Sequence, residues 1–138
     1  MRQVILDTGP LVASLCPRDE HFAWARRAFA EVAPGSLTCE AVLTEASHLA
    51  AKEGVPRAKV IEFVQRGRLR VLSLAPELDA IKMLLDRYGD APMDFADACV
   101  VRLAELHGAL SVCTVDRQFQ FFRKNGRQVI PLIAPFLG

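Results

Sequence analysis

Four acidic residues stand where a protein could use them for chemistry: Asp7, Glu45, Asp97 and Asp116. Asp7 closes the apolar run Val4-Ile5-Leu6, and Asp116 closes a later one, Ser111-Val112-Cys113-Thr114-Val115. Both runs read as buried strands, so both carboxylates ride on rigid elements. Asp97 lies in Pro92-Met93-Asp94-Phe95-Ala96-Asp97-Ala98, at the start of an apolar helix, with Asp94 three residues earlier on the same face. Glu45 falls in Thr38-Cys39-Glu40-Ala41-Val42-Leu43-Thr44-Glu45, where helical spacing sets it beside Ala41, Val42 and Leu49.

In open parallel α/β sheets, sites form just beyond the carboxyl ends of the strands, which is where Asp7 and Asp116 sit. Two carboxylates about 4 Å apart repel by roughly 4 kcal/mol at an effective dielectric near 20. Four converging carboxylates must either rise in pKa or hold a cation. No Lys or Arg lies within four residues of Asp97. A hard divalent ion with oxygen ligands, Mg²⁺ or Mn²⁺, relieves the conflict. Direct ligation is expected from Asp7 and Asp97, with Glu45 and Asp116 acting through water or a second ion. Each acid also has a structural reading. Asp7 could start a turn, Asp94 could be a helix N-cap, Asp97 could complement a helix dipole, and Asp116 could cap or pair with Arg117.

The 138-residue chain has the length of one domain, read here as spanning residues 1–138, and its 51% hydrophobic content is enough for a core without disulfides or a structural metal. A net charge of +1 gives no global field for nucleic acid, but basic residues cluster at Arg66, Arg68 and Arg70, and again at Arg117, Arg123, Lys124 and Arg127. From the second group, Arg117, Arg123 and Lys124 are candidate substrate contacts, although such clusters are commonly solvated faces. Cys16, Cys39, Cys99 and Cys113 form no C-x-x-C pair and no zinc-finger spacing, so all four are expected to be reduced core residues. Free thiols, the absence of a signal-like N-terminus and the lack of a long apolar run together lead to an expectation of a cytoplasmic protein with no membrane association.

The elements needed to carry these acids can be read in order. Strands are predicted at Gln3 to Leu6, Ser36 to Thr38, Leu69 to Leu74, Leu110 to Val115 and Val129 to Ile133. Helices are predicted at Leu11 to Leu15, His21 to Val32, Cys39 to Lys52, from Pro56 (burying Val60, Ile61, Phe63 and Val64), Glu77 to Tyr88 and Asp94 to His107. Leu78, Ile81, Leu84 and Leu85 form the apolar stripe of the fifth. The last is apolar almost all round and therefore central. Alternating strands and helices predict an α/β fold with a mainly parallel sheet covered on both faces.

Taken in order, Asp7-Thr8-Gly9-Pro10, the Glu45 segment, Tyr88 to Glu105 and Cys113-Thr114-Val115-Asp116-Arg117-Gln118-Phe119 resemble a PIN domain, and within that family a VapC-type toxin of bacterial toxin–antitoxin pairs. The resemblance implies a three-layer α/β/α fold and an acidic quartet of Asp7, Glu45, Asp97 and Asp116 around Mg²⁺ or Mn²⁺. Asp94 matches an additional acid found in some members. Thr114 would orient Asp116 or a bound water, and Thr8 matches a small polar position beside the metal. The same resemblance implies homodimers, inhibition by a cognate VapB-type antitoxin, and cleavage of RNA. The expected reaction is hydrolysis of a phosphodiester by a metal-activated water, leaving a 5′-phosphate. A PIN-type RNA-processing or DNA nuclease, or a non-catalytic RNA-binding domain, is the alternative.

Rival chemistries fit less well. His21, His48 and His107 share no motif, and His107 precedes Gly108 at a helix end, where it suits the last carbonyls. Asp-Thr-Gly also occurs in aspartic proteases, but those need two such loops in a β-rich frame. A phosphatase with Asp7 as nucleophile would want an acid at position 9, which is Gly. Phe119, Phe121 and Phe122 could stack on bases, but they read better as core, as does Trp24.

Overall fold

A computed structural model describes residues 1–137. Among them, five strands form one all-parallel sheet: β1 (Val4–Leu6), β2 (Leu37–Cys39), β3 (Arg70–Leu72), β4 (Ser111–Cys113) and β7 (Leu132–Ile133). Their order is β3-β2-β1-β4-β7. β1 pairs with β2 at Ile5↔Leu37 and with β4 at Leu6↔Cys113. The chain runs outward from β1 to β3, then returns to the other side of β1 as β4. The sheet's direction of winding therefore reverses between β1 and β4, the place where such sheets bind ligands.

Right-handed crossovers convert that order into layers. The outward run carries α1 (Thr8–Leu15), α2 (Phe22–Ala30), α3 (Glu40–Lys52) and α4 (Ala58–Arg66), which pack on one another. The return crossover carries α5 (Leu78–Arg87) and α6 (Phe95–Leu106) to the other face. The three-layer α/β/α arrangement follows. α6 is the central helix: Ala96 through Val101, Leu103 and Ala104 are all buried, and it packs on β1, β2 and β4. Val4, Ile5, Leu6 and Val112 are fully buried between the layers, as parallel strands covered on both faces must be.

Several boundaries differ from the sequence reading, each for a local reason. α1 starts at Thr8, so Gly9 and Pro10 lie within its first turn, where a proline's missing N–H costs no helical bond. Cys39 ends β2 rather than opening α3. The run from Val129 to Ile133 divides. Gln128–Val129 (β6) pairs antiparallel with Arg123–Lys124 (β5), and Leu132–Ile133 joins the main sheet beyond Pro131. Asn125 and Gly126, with φ of 50° and 87°, make the turn of this small hairpin. Ile61 and Leu78 are 43% and 54% exposed, so two positions assigned to apolar stripes lie on their margins. The four cysteines are free and buried, as expected. Phe119 and Phe122 are core, but Phe121 is 65% exposed.

Candidate active site

Asp7 follows β1 directly, and its backbone N–H donates to Cys113 O at 3.0 Å, extending the β1–β4 ladder by one step. That step fixes Asp7 opposite Thr114 at the carboxyl end of β4. The Thr114 hydroxyl, fully buried, donates to Asp7 Oδ2 at 2.7 Å. The same oxygen accepts the Asp116 N–H at 3.0 Å. Asp116 then caps a short 3₁₀ turn, Arg117–Gln120, with Oδ1 accepting from Gln118 N at 2.9 Å. Thr114 thus bonds both the Asp7 carboxylate and the Asp116 backbone, beside the residue that it was expected to orient, directly or through a bound water.

Asp97 enters from the helical layer packed on the sheet. Asp94 is the N-cap of α6, accepting from Asp97 N at 2.7 Å, while Asp97 Oδ2 accepts from Asp94 N at 3.1 Å. This reciprocal capping box sets the rotamer of Asp97 and engages only one of its oxygens. Asp94 is exposed and serves as the cap. Glu45 arrives from α3, half-buried, near the Thr8 hydroxyl.

Burial and acidic neighbours set the electrostatics of each of these groups. Burial pushes the Asp7 carboxyl up to about 6, with Asp116 and Glu45 adding repulsion against the lowering effect of the Thr114 hydroxyl. Burial likewise raises Asp97 to about 8, and Asp94, Asp7 and Asp116 push the same way. Glu45 is raised by burial and by Asp94 and Asp116. The four acids thus lie within electrostatic reach of one another, and none of them is in an ion pair among the described residues.

Do these residues fit a divalent cation? The donor set is all oxygen, the choice of Mg²⁺ and Mn²⁺. Two of its members are buried carboxylates without a counter-charge. The Thr8 hydroxyl is buried beside the Glu45 carboxylate and lowers its pKa against the effect of burial. Buried acids without a counter-charge are groups that a cation would satisfy. Among the described residues no group of three or more His, Cys, Asp or Glu side chains is arranged to hold a metal ion. The donor chemistry fits such an ion.

The basic candidates divide. Arg117 is exposed beside Asp116, its guanidinium 5.1 Å from the centre of the Phe136 ring. Arg123 donates to Gln120 O at 2.7 Å and Phe122 O at 3.1 Å, holding the 3₁₀ turn. Lys124 is a correction. It is buried, and its ammonium donates to Gly108 O at 2.8 Å, beyond the C-terminal end of α6. Twelve residues of helix, about 18 Å at 1.5 Å each, separate that end from the end that carries Asp97. Lys124 supports the fold and is not a substrate contact.

The sequence reading also passed over neighbours of the site. His48 lies one turn beyond Glu45 and lines the same groove as Glu40, Asp94 and Phe95. The i, i+3 spacing from Glu45 was the available signal. His107 is instead at the far end of α6, where its backbone N–H donates to Leu103 O at 2.9 Å.

Comparison with known proteins agrees with this geometry. The PIN domain family model matches residues 4–125, nearly the whole chain, and the chain belongs to that family. Among solved structures it is similar to Mycobacterium tuberculosis VapC20, described as a sarcin–ricin-loop-cleaving toxin. The TM-score is 0.69 at 23% identity, over 80% of this chain and 87% of that one, a likeness of fold. No curated protein sequence matches significantly.

Proposed function

We propose that this chain is a metal-dependent endoribonuclease of the VapC type, the toxin of a toxin–antitoxin pair. What supports the reading is that Asp7 and Asp97, buried carboxylates from the sheet and from the helix packed on it, lie within electrostatic reach of one another and are perturbed by Glu45 or Asp116, with no ion pair to balance them. Asp7 and Asp97 would hold Mg²⁺ or Mn²⁺ directly, with Glu45 and Asp116 completing the charge. When bound, such an ion supplies a water of lowered pKa and neutralises charge on phosphoryl oxygens.

The chain's own residues do the positioning. The ladder bond at Asp7 and the Thr114 hydroxyl fix one carboxylate, and the capping box fixes another. Both are set before substrate arrives, so their orientation is not bought from binding energy. Arg117, exposed and next to Asp116 in the chain, would meet the phosphate backbone. VapC20 is described as cleaving the sarcin–ricin loop, and hydrolysis of RNA is the reaction proposed here. A VapB-type antitoxin, a homodimeric state and a cytoplasmic setting are proposed with it. No helix among the described residues is long and apolar enough to cross a membrane.

The test is cleavage of single-stranded and structured RNA with Mg²⁺ or Mn²⁺, with and without chelator, by the wild-type chain and by Asp7→Asn and Asp97→Asn. Cleavage is expected only with metal and only from the wild type. Full cleavage by either variant, or in chelator, would defeat the reading.

A further inference from the structure

Beside the carboxylates, between the N-terminal half of α3 and the first turn of α6, runs an open groove of about 550 Å³. Phe95 lines it from α6 and His48 and Thr44 from α3, with the carboxylates of Glu40, Glu45 and Asp94 along its length. Phe95 is the first helical residue after the Asp94 cap and is 49% exposed. Among the described residues no other ring and no cation stacks on it. A large apolar ring is thus left half in water, one residue from the acid that caps Asp97's helix and two from Asp97 itself.

We propose that this groove receives an unpaired nucleobase of the RNA strand next to the scissile phosphate, stacked on Phe95, and that guanine fits it best. The inference rests on the nuclease reading and deepens it by naming a base subsite. The occupant follows from charge and shape. Three carboxylates repel a phosphate but accept hydrogen bonds from a neutral base. Guanine presents N1–H and N2–H side by side, a donor pair that one carboxylate, such as the exposed Glu40, accepts bidentately. Adenine and cytosine each offer a single amino group on that edge. Uracil offers only N3–H, flanked by two carbonyl oxygens that face the carboxylates unfavourably. A base within a duplex has its faces stacked and its pairing edge occupied, so the groove selects unpaired nucleotides. His48, from α3, also lines the groove.

Stacking on one aromatic ring supports single-strand binding by a measurable factor without regard to the rest of the sequence. Because the contact is the same before and during reaction, its loss falls on KM rather than kcat. The experiment uses a pool of single-stranded oligoribonucleotides of mixed sequence in Mg²⁺ or Mn²⁺, with the ends of the products sequenced. Wild-type cuts are expected to show guanine enriched at one position flanking the cleaved bond. Phe95→Ala should raise KM about tenfold with kcat little changed and lose the enrichment, and Phe95→Tyr should keep both. Glu40→Gln should lower cutting beside guanine several-fold relative to other bases. Phe95 is exposed, so its truncation leaves the fold intact, which circular dichroism verifies. Phe95→Ala with wild-type KM and unchanged flanking preference would overturn the subsite while leaving the nuclease reading in place. A wild-type chain that cuts no RNA in either metal would overturn both.

Discussion

The hydroxyl of Thr114 donates to Asp7 Oδ2 at 2.7 Å across 107 residues of chain, and accepts from the Asp116 backbone with the same oxygen. One buried side chain therefore ties together the carboxyl ends of β1 and β4, where the winding of the sheet reverses. Thr114→Val keeps the shape and removes the donor. The Asp7 carboxyl, raised by burial and held down by this bond, should then rise further. Removing a group that orients a metal ligand typically costs 10–100-fold in metal affinity or activity, and a loss of that size is expected here. Titrating RNA cleavage with Mg²⁺ reads it: the half-saturating concentration should shift upward for Thr114→Val and hardly at all for Thr114→Ser. Identical titrations for the two variants would remove Thr114 from the site's design.

Gly9 is fixed by packing. A methyl group at this position would overlap Val115 Cγ2, in the loop between Thr114 and Asp116. The close approach lets the first turn of α1 pass over that loop, keeping Asp7 and Thr8 near Asp116. Gly9→Ala should destabilise the chain by about 1–3 kcal/mol, the usual cost of overpacking. The double variant with Val115→Ala should recover most of that loss, because the two positions share one contact. Thermal unfolding of the four proteins in the cycle measures the coupling, and simple additivity would contradict the packing argument.

How much of this was legible beforehand depends on where the information lies. The strand end at Asp7 and the helix start at Asp97 are local signals, whereas the apolar run before Asp116 overstates its strand, which ends at Cys113. Convergence is not local, because it arises from the register Leu6↔Cys113 and from α6 crossing the sheet. The motif order of the family made it predictable. The hairpin of β5 and β6 was missed because its strands are two residues each. Its Asn-Gly turn, a standard hairpin signal, lies among basic residues and not between alternating hydrophobic ones. Lys124 was misjudged because a lysine in a basic run looks solvated. The Gly108 carbonyl that receives it is 16 residues away. The first turn of α1 was read as a loop because Gly-Pro usually breaks helices, although the first turn is where proline is tolerated.

Lys124 and Arg117 make opposing predictions. Lys124→Met keeps the aliphatic stem in its buried position but leaves the Gly108 carbonyl without its donor. A loss of about 1–3 kcal/mol of stability is expected, the penalty for stranding a buried polar group. The folded variant should bind RNA as the wild type does. Arg117→Ala should leave stability nearly unchanged, since its contact with Phe136 is at the surface. It should weaken RNA binding and flatten its salt dependence by about one phosphate contact. Binding isotherms at several salt concentrations, set beside melting curves, separate the two. Weakened RNA binding by well-folded Lys124→Met would reverse the assignment.

The buried acids should also make stability run against activity. Folding raises the Asp7 carboxyl from 3.8 to about 6 and the Asp97 carboxyl from 3.8 to about 8. Each group's folded value lies above its unfolded one, so each binds its proton more tightly when folded. Their contribution to stability is fully present below about pH 4 and is lost as pH rises through about 6 for Asp7 and about 8 for Asp97. In chelator, the melting temperature should therefore decline from pH 5 to pH 9. Mg²⁺ or Mn²⁺ should restore it at pH 8, where carboxylates are available to bind, and change little at pH 5, where protons compete. Asp7→Asn and Asp97→Asn remove the charge and nearly keep the shape. Both should melt above the wild type at pH 8 in chelator, gain nothing from metal, and cut RNA more slowly by several orders of magnitude. Such a gain in stability on loss of function is the mark of groups held in a strained state for use. Differential scanning fluorimetry across pH, with and without metal, decides the matter. If Asp7→Asn is the less stable protein at pH 8 without metal, Asp7 is a structural acid rather than a poised ligand.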